Sequence, residues 1–307
     1  TEVEWQKSLT YIAEGKGKHF VQVDFSATPY NQIGSGKSLA KAMFPHIVVD
    51  FDLKTAMRAG LVKSLVLDKR KEIASLELDF KAERDEKNRV IGLSDGQRVM
   101  LRAGLTKLKK LEEDFARLDS QRRPKMMVMC EDTDVTPYVE GFFRAEGLSD
   151  EEFLRVDSGR KGELKKEDWN RVREHLFDMD RHAQPRVIVS VLMLREGFDV
   201  NNICVIVPLR STQAQILLEQ TIGRGLRLMW RDAEYAETKA ENRQLIRQSK
   251  EPNSLIDVLS IIEHPAFMEF YAELMKEGLV GETTDEAPGG GATGDLIPVG
   301  LREGYEE

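Results

Sequence analysis

The stretches that decide the fold are KMMVMC at residues 125–130 and RVIVSVLML at residues 186–194. Both are short, unbroken apolar runs, as are VQVDF (21–25) and ICVIV (203–207). Runs of this length are typical of strands buried on both faces, as in a parallel sheet covered by helices. Helical spacing appears between them, for example at residues 168–180, and strands alternating with helices predict a layered α/β fold.

A highly charged segment, residues 66–122, separates the first run from the others and contains almost no strand pattern. Because RVMLRAGLTKLKKLEEDFARL (98–118) has helical spacing, we interpret the segment as a helical insertion between two α/β units. Its basic residues either contact the phosphates along a nucleic-acid backbone or form a solvated helix face with ion pairs to acidic residues at 112–114. They are Arg98, Arg102, Lys107, Lys109, Lys110, Arg117, Arg122 and Arg123.

The composition limits the classes of protein to consider. A length of 307 residues with 41% apolar residues is enough for more than one buried core, and a net charge of −8 argues against a wholly basic nucleic-acid coat while allowing a local basic groove. Cys130 and Cys204 lie in apolar runs, which predicts buried free thiols. We expect no membrane partner and a cytoplasmic location, since no signal peptide and no run of about 18 apolar residues occurs.

A second informative stretch is QTIGRGLRL at residues 220–228. A helix from Thr212 to Met229 places apolar side chains on one stripe and polar ones on the opposite side. The stripe contains Leu218, Ile222, Leu226 and Met229, and the polar side contains Gln220, Arg224 and Arg227. Two guanidiniums and an amide suit an oxyanion, although ordinary surface arginines are an alternative interpretation. Gly223 and Gly225 cost helix stability, which indicates close approach of another backbone or a ligand.

The pattern Q-x-x-G-R-x-x-R, from Gln220 to Arg227, resembles motif VI of superfamily 2 helicases, the DEAD/DEAH-box-like ATPases. The resemblance implies a RecA-like fold and a nucleotide cleft between two lobes. It implies that Arg224 and Arg227 contact the ATP phosphates beside Gly223, with Arg227 as the arginine finger, and that Gln220 positions nucleotide and water. An arginine finger accelerates phosphoryl transfer by about 10³ to 10⁵.

Further matches occur in the order of that family. Ser26, Ala27 and Thr28 follow VQVDF and resemble motif III, which implies coupling between the lobes; a strand-ending turn is the alternative. REGFD (195–199) resembles motif V, which implies Gly197 and Asp199 at the ATP site and Arg195 and Glu196 at the DNA backbone; a tight loop is the alternative. KMMVMCEDTD (125–134) suits motif IV, which implies a DNA contact at Thr133.

Longer stretches are similar to the helicase part of the restriction (Res) subunit of type III, and of type I, restriction enzymes. They are DFSATPY, LREGFDVNN, VPLRS, LLEQTIGRGLR and the region of IIEHPAF. The match in order and spacing covers residues 20–230. It implies DNA as a partner, a methyltransferase or modification subunit as a further partner in such systems, and ATP with Mg²⁺ as cofactors.

Two parts of the helicase pattern are missing. GSGKS (34–38) has Asn31 where a phosphate loop needs its first glycine, and it follows the motif III match, so we interpret it as a Gly/Ser turn. No D-E-x-H or D-E-x-D box precedes Ser26, so we expect the Mg²⁺ ligands in another lobe and no metal site in this chain. Asp157, Glu163 and Lys165 are spaced too tightly for the nuclease triad that they suggest.

The predicted organisation is the end of a first RecA-like lobe (1–60), a helical connector (61–124), a second lobe with motifs IV to VI (125–282) and a linker or further domain (283–307). The leading hypothesis is the C-terminal part of a DNA-dependent ATPase, helicase or translocase. The intact protein would hydrolyse ATP, whereas this chain alone would be inactive without motifs I and II. The alternatives are a non-catalytic nucleic-acid-binding module derived from a helicase lobe and a small kinase that uses GSGKS.

Overall fold

The computed structural model describes residues 53–69, 78–156, 182–191, 200–209, 222–248, 250–265 and 280–283, residue 272, and shorter pieces of the first 52 residues. The chain divides into two compact units, Thr1–Asp52 and Leu53–Glu307. In the first unit, β1 (Tyr30–Ile33) pairs antiparallel with β2 (Ala40–Met43). The motif III match at 26–28 and GSGKS lie outside the described residues.

The second unit is built on a seven-stranded sheet in which every neighbouring pair is parallel. In chain order its described strands are β3 (Ser64–Asp68), β4 (Glu83–Arg84), β5 (Val90–Gly92), β6 (Lys125–Met129), β7 (Phe153–Val156), β8 (Val187–Ser190), β9 (Ile203–Pro208), β10 (Val258–Ile262) and β11 (Val280–Thr283). The sheet has the order β11-β3-β10-β9-β6-β8-β7, and β4 and β5 form a separate antiparallel hairpin. Every residue of β3, β6, β8, β9 and β10 is buried, as unbroken apolar runs predict for a covered sheet.

Helices cover both faces of this sheet. The described α-helices are α1 (Leu53–Arg58), α2 (Asp95–Leu118), α3 (Thr136–Ala145) and α4 (Ala236–Arg247), and Ala233–Tyr235 form a 3₁₀ turn. In β6, Met126 and Val128 pack into the core that α2 and α3 cover, whereas Met127 and Met129 pack into the opposite core with Met57 of α1. This alternation is the two-residue period of a strand with both faces buried. The predicted α/β fold, a parallel sheet with helices on both faces, is confirmed.

Helix α2 confirms the helical spacing found at 98–118 and begins at a capping box. The Oγ of Ser94 accepts the Gln97 N–H at 3.3 Å, and the Gln97 side chain accepts the Ser94 N–H at the same distance. Its buried residues, among them Leu108 and Phe115, pack on the sheet. The segment predicted as a nearly strand-free connector therefore contributes β3 and a covering helix to the second unit.

Four of the eight basic residues of this segment, Arg122 among them, form ion pairs within the described part of the chain. Lys107 meets Asp68 at 3.2 Å in the core, Arg102 meets Glu146 at 2.6 Å, and Arg117 meets Asp114 at 3.3 Å. For these residues the structure supports the ion-paired interpretation over phosphate contact.

Two buried lysines stabilise the end of the sheet at which the parallel strands begin. The Nζ of Lys63 donates to the carbonyls of Asn201 and Ile203 at 2.7 and 2.6 Å, so the residue before β3 is tied to the start of β9 across β10. Burial lowers the pKa of Lys63. Lys125 donates to the carbonyls of His182 and Ala183 at 2.6 and 3.1 Å. Both buried cations thus replace water with backbone acceptors.

The predicted state of the two cysteines is confirmed, since Cys130 and Cys204 are free and buried. Burial is the main cause that raises the pKa of the Cys204 thiol. Within the described residues, no helix has both the length and the apolar character that a membrane crossing requires.

Candidate functional site

The arginine segment, residues 222–228, lies against the face of the sheet that α1 covers. Residues 222–225 are helical, and the side chains of Ile222 and Leu226 are buried in the core with Leu259 and Ile206. Arg224 and Arg227 are both partly exposed. The packing side and the charged side of the segment are therefore distinct in its described part, and Gln220 lies outside the described residues.

The two arginines of this segment influence each other electrostatically. Burial, and then the positive charge of Arg227, lower the pKa of Arg224. Two like charges held close together in a partly desolvated place repel each other, and an anion placed near both relieves that repulsion. The arrangement therefore fits a phosphate group chemically.

The two glycines of the segment have different surroundings. A Cβ atom on Gly225 would lie 2.8 Å from Leu259 Cδ2 and 3.3 Å from Ile206 Cδ1, so this glycine lets the helix approach its own sheet. A Cβ atom on Gly223 would meet nothing within 4 Å, and this residue is exposed. The close approach at Gly225 is thus to side chains of the sheet instead of the backbone or ligand expected from the sequence, and the space over Gly223 is open.

The helix ends earlier than the predicted Met229, because the backbone from Leu226 onwards is held by other elements. The Lys63 N–H donates to the Leu226 carbonyl at 2.7 Å. The Oδ1 of Asp257 accepts the N–H groups of Met229 and Trp230 at 2.7 and 3.1 Å. A carboxylate and a strand start thus take the backbone partners that a further helical turn would have used.

Side chains from two further elements complete this anchor. Arg122 donates to the Met229 carbonyl at 2.8 Å and lies 5.2 Å from the centroid of the Trp230 ring. Lys239 donates to the Trp230 carbonyl, and its Nζ lies 3.5 Å from Asp257 Oδ2. The Trp230 ring is fully buried between Phe115 and Tyr235. Asp257 and Lys239 carry no sequence signal of a site, because only the fold brings these distant positions together.

Thr133 lies at the other end of the strands. It follows β6 in the turn before α3, is partly exposed, and its carbonyl accepts the Thr136 hydroxyl at 3.0 Å. Residues 226–230, in contrast, are bonded to the residues that precede β3 and β10. Because all strands of the sheet are parallel, Thr133 lies at the end of the sheet where the strands finish, and residues 226–230 lie at the end where they begin. The structure therefore does not bring them together.

The turn around Thr133 is acidic. Arg84, from the β4–β5 hairpin, pairs with Asp132 at 2.5 Å and lies 3.7 Å from Glu131. Burial raises the pKa of Glu131, which also accepts the Ala82 N–H at 3.3 Å. Carboxylates beside Thr133 disfavour a phosphate there, and the DNA contact at this residue stays a prediction.

The other candidate residues lie outside the described part of the chain. They are Ser26, Ala27, Thr28, Arg195, Glu196, Gly197, Asp199 and Gln220, together with the nuclease-like Asp157, Glu163 and Lys165. Among the described residues, no group of three His, Cys, Asp or Glu side chains is placed to hold a metal ion.

The parallel sheet with helices on both faces makes this unit a layered α/β domain, and the arginine segment lies at the end of the sheet where the strands begin. The chain is similar to the C-terminal domain of the DEAD-box protein Dbp5, with 11% identity over 74% of this chain and 92% of that chain and a TM-score of 0.36. It is also similar to two restriction enzymes. With a fragment described as an HsdR subunit of a type I restriction enzyme from Vibrio vulnificus YJ016 it shares 15% identity over 79% of this chain and 40% of that chain, with a TM-score of 0.41.

The second restriction enzyme is the ATP-dependent Type ISP restriction-modification enzyme LlaBIII bound to DNA, with 12% identity over 82% of this chain and 20% of that chain and a TM-score of 0.40. The chain spans less than half of the length of both restriction enzymes. No protein-family model and no curated protein matches the sequence. The resemblance to the C-terminal part of superfamily 2 helicases therefore remains a prediction from the sequence motifs.

Proposed function

We propose that this chain supplies the arginine-finger half of the ATP site in a DNA-dependent ATPase, a helicase or translocase of the type III restriction subunit kind. The observation that carries the proposal is the pair Arg224 and Arg227. Both are partly exposed on a segment whose other side is buried in the sheet and whose end is anchored by Asp257.

The anchored segment is suited to catalysis by position. Stabilisation of a transferring phosphoryl group depends on charges that are already in place when the reaction starts. Five backbone contacts, at Leu226, at Met229 (twice) and at Trp230 (twice), fix the backbone shortly after Arg224 and on both sides of Arg227. The open space over Gly223 leaves room for a phosphate beside the two guanidiniums.

Each group at the site has a defined task in this proposal. Bound ATP with Mg²⁺ supplies the phosphoryl group and its metal counter-charge, and a partner lobe with motifs I and II holds the metal. Arg224 orients and neutralises phosphate oxygens, and Arg227 donates to the oxygens that gain charge in the transition state. Gln220, Gly197 and Asp199 complete this half-site, and Ser26 to Thr28 couple the lobes, as the motif resemblance implies.

The DNA partner, the modification subunit and the restriction role rest on the sequence resemblance. DNA would be held through its phosphate backbone, with little reading of bases, at Arg195, Glu196 and Thr133.

The decisive experiment places a first lobe with motifs I and II ahead of residue 1 and measures DNA-stimulated ATP hydrolysis. Arg227→Ala should lower kcat by about 10³ or more, since the finger acts on the transition state. Arg227→Lys should recover only part of the loss, because Lys lacks the planar fork.

The matched control is Arg231→Ala. Arg231 is exposed, lies four residues further on, and within the described residues donates to the Leu228 carbonyl at 3.3 Å. The ATP hydrolysis of the Arg231→Ala variant should equal that of the unmodified protein. Equal activity for Arg227→Ala would contradict the proposal. Salt-dependent DNA binding without any ATP response would instead support the non-catalytic module.

A further inference from the structure

A positively charged surface lies where the end of α1 meets α4, and we define it as the α1–α4 arginine patch: Arg58, Arg243 and Arg247. Arg58 is the last residue of α1, and the other two lie four residues apart on α4 and therefore on one side of it. The Nη2 of Arg247 donates to the Arg58 carbonyl at 3.0 Å. This hydrogen bond holds the two helices of the patch together.

The guanidinium of Arg243 packs against the backbone at Gly60. Gly60 has φ +71°, in the left-handed region that favours glycine, and a Cβ atom on it would lie 2.9 Å from Arg243 Cζ. Burial, and then the charge of Arg247, lower the pKa of Arg243, and the smaller effect of Asp257 acts in the opposite direction. The guanidinium is thus partly desolvated beside a second positive charge.

The patch differs from the other arginine sites of the described chain, most of which include a carboxylate. Arginines with such a partner are Arg84, Arg89, Arg102, Arg117, Arg122, Arg144, Arg155 and Arg186. No ion pair occurs at Arg58, Arg243 or Arg247 within the residues that the structure describes. In a protein of net charge −8, the like charges of Arg243 and Arg247 thus act on each other, with Arg58 at the adjoining end of α1. An anionic ligand would supply the missing counter-charge.

We propose that the α1–α4 arginine patch binds the phosphates of a nucleic-acid strand. Arg243 and Arg247 are separated by about 6 Å along the helix axis. A strand carries one phosphate per about 3.4 Å of axis, so the two arginines contact phosphates one or two nucleotides apart. The patch consists of residues other than those assigned to the proposed ATP site and to the predicted DNA contacts. In naming nucleic acid as the source of the phosphates, the inference rests on the proposed function.

The test uses the whole chain and a fluorescent single-stranded DNA of about 20 nucleotides, with affinity measured by anisotropy across a range of NaCl concentrations. Arg243→Gln/Arg247→Gln should weaken binding about tenfold or more at low salt. It should also reduce the slope of log K against log [NaCl] by about 1.4, or about 0.7 per lost contact. Arg243→Lys/Arg247→Lys should keep most of the slope, because the charges remain.

The matched control is Arg89→Gln/Arg117→Gln, which removes the same charge from exposed arginines that are paired with Asp85 and Asp114. Its slope should stay within about 0.3 of that of the unmodified chain. The single variant Arg247→Gln, at an exposed side chain, serves if the double variant fails to fold, with a slope reduced by about 0.7. An unchanged slope in the folded patch variants overturns the proposal.

Inorganic triphosphate and ATP are tested in the same chain to distinguish the sources of phosphate. If they bind in a manner that depends on Arg243 and Arg247 while DNA binding does not, the nucleic-acid source is wrong. If Arg227→Ala loses ATP hydrolysis while the patch variants bind DNA normally, the proposal for the α1–α4 arginine patch is wrong and the proposed ATP site stands. Patch-dependent DNA binding with full hydrolysis in Arg227→Ala would contradict the proposed ATP site alone.

Discussion

Asp257 shows why part of the candidate site is invisible to sequence patterns. It has φ +49°, an uncommon conformation that Asp tolerates better than most residues, and from there its carboxylate accepts two backbone N–H groups. The run SLIDVLSII predicts one strand from 254 to 262, but the strand begins at Val258. Apolar spacing predicted the strand, whereas the function of Asp257 depends on Met229 and Trp230, which are distant in sequence.

His264 gives a prediction at the same scale. Burial beside Phe80, whose ring centroid is 5.4 Å away, lowers the pKa of His264 to about 4. Between pH 6.5 and 4 the unfolded chain therefore binds a proton that the folded chain does not. Above pH 6.5 the lowered pKa of His264 has no effect on the free energy of unfolding. As the pH falls from 6.5 towards 4, that free energy decreases, by up to about 3 kcal/mol at about 1.4 kcal/mol per pKa unit.

Urea unfolding at several pH values checks this prediction. His264→Gln should show a smaller loss of unfolding free energy between pH 6.5 and 4 than the unmodified chain. His182→Gln, at an exposed histidine, is the control and should follow the unmodified chain. Glu131, whose raised pKa acts in the opposite direction, is common to all three proteins. Parallel curves for His264→Gln and the unmodified chain would refute the prediction.

At the scale of elements, the buried face of the arginine segment was predicted correctly, but the residue at which its helix ends was not. The 3.6-residue period correctly placed Ile222 and Leu226 towards the core and Arg224 away from it. The same period extended the helix to Met229, because it contains no information about Lys63 or Asp257, whose contacts hold the backbone there. Periodicity predicts which face is buried, and tertiary hydrogen bonds decide where the element ends.

The two glycines of this segment form a matched pair for mutation. Gly225→Ala should destabilise the protein by about 1 to 3 kcal/mol, because its methyl group would overlap Leu259 in a filled core. Gly223→Ala, at an open helical position, should stabilise it by about 0.5 to 1 kcal/mol. Chemical denaturation measures both values. Equal effects of the two substitutions would show that the Gly225 contact does not determine stability.

At the scale of the whole molecule, the apolar runs correctly predicted a covered parallel sheet but not all of its strands. β6, β8 and β9 coincide with runs recognised in the sequence. β3 (SLVLD) was missed because its five residues adjoin a highly charged segment, and its burial becomes evident only from its place between β10 and β11. The domain boundaries predicted around it remain predictions.

The distribution of the core leads to a prediction for the second unit. All residues of its three buried apolar clusters lie between Met57 and Ile262. A protein consisting of residues 53–307 should therefore fold cooperatively, with a urea midpoint within about 0.3 M of that of the corresponding transition in the whole chain. Circular dichroism across a urea series measures this. A shift of more than about 1 M would show that residues 1–52 contribute to that core.

The position of β10 has a consequence for biosynthesis. β10 lies between β3 and β9, yet it follows both in the chain, so the ribosome releases its two neighbours before β10 itself exists. Until residues 258–262 emerge, the facing edges of β3 and β9 have no partner, and unpaired strand edges are where nascent chains aggregate or recruit chaperones. A translation pause shortly before residue 258 would prolong this vulnerable state, whereas a pause after β11 would leave the nascent sheet complete.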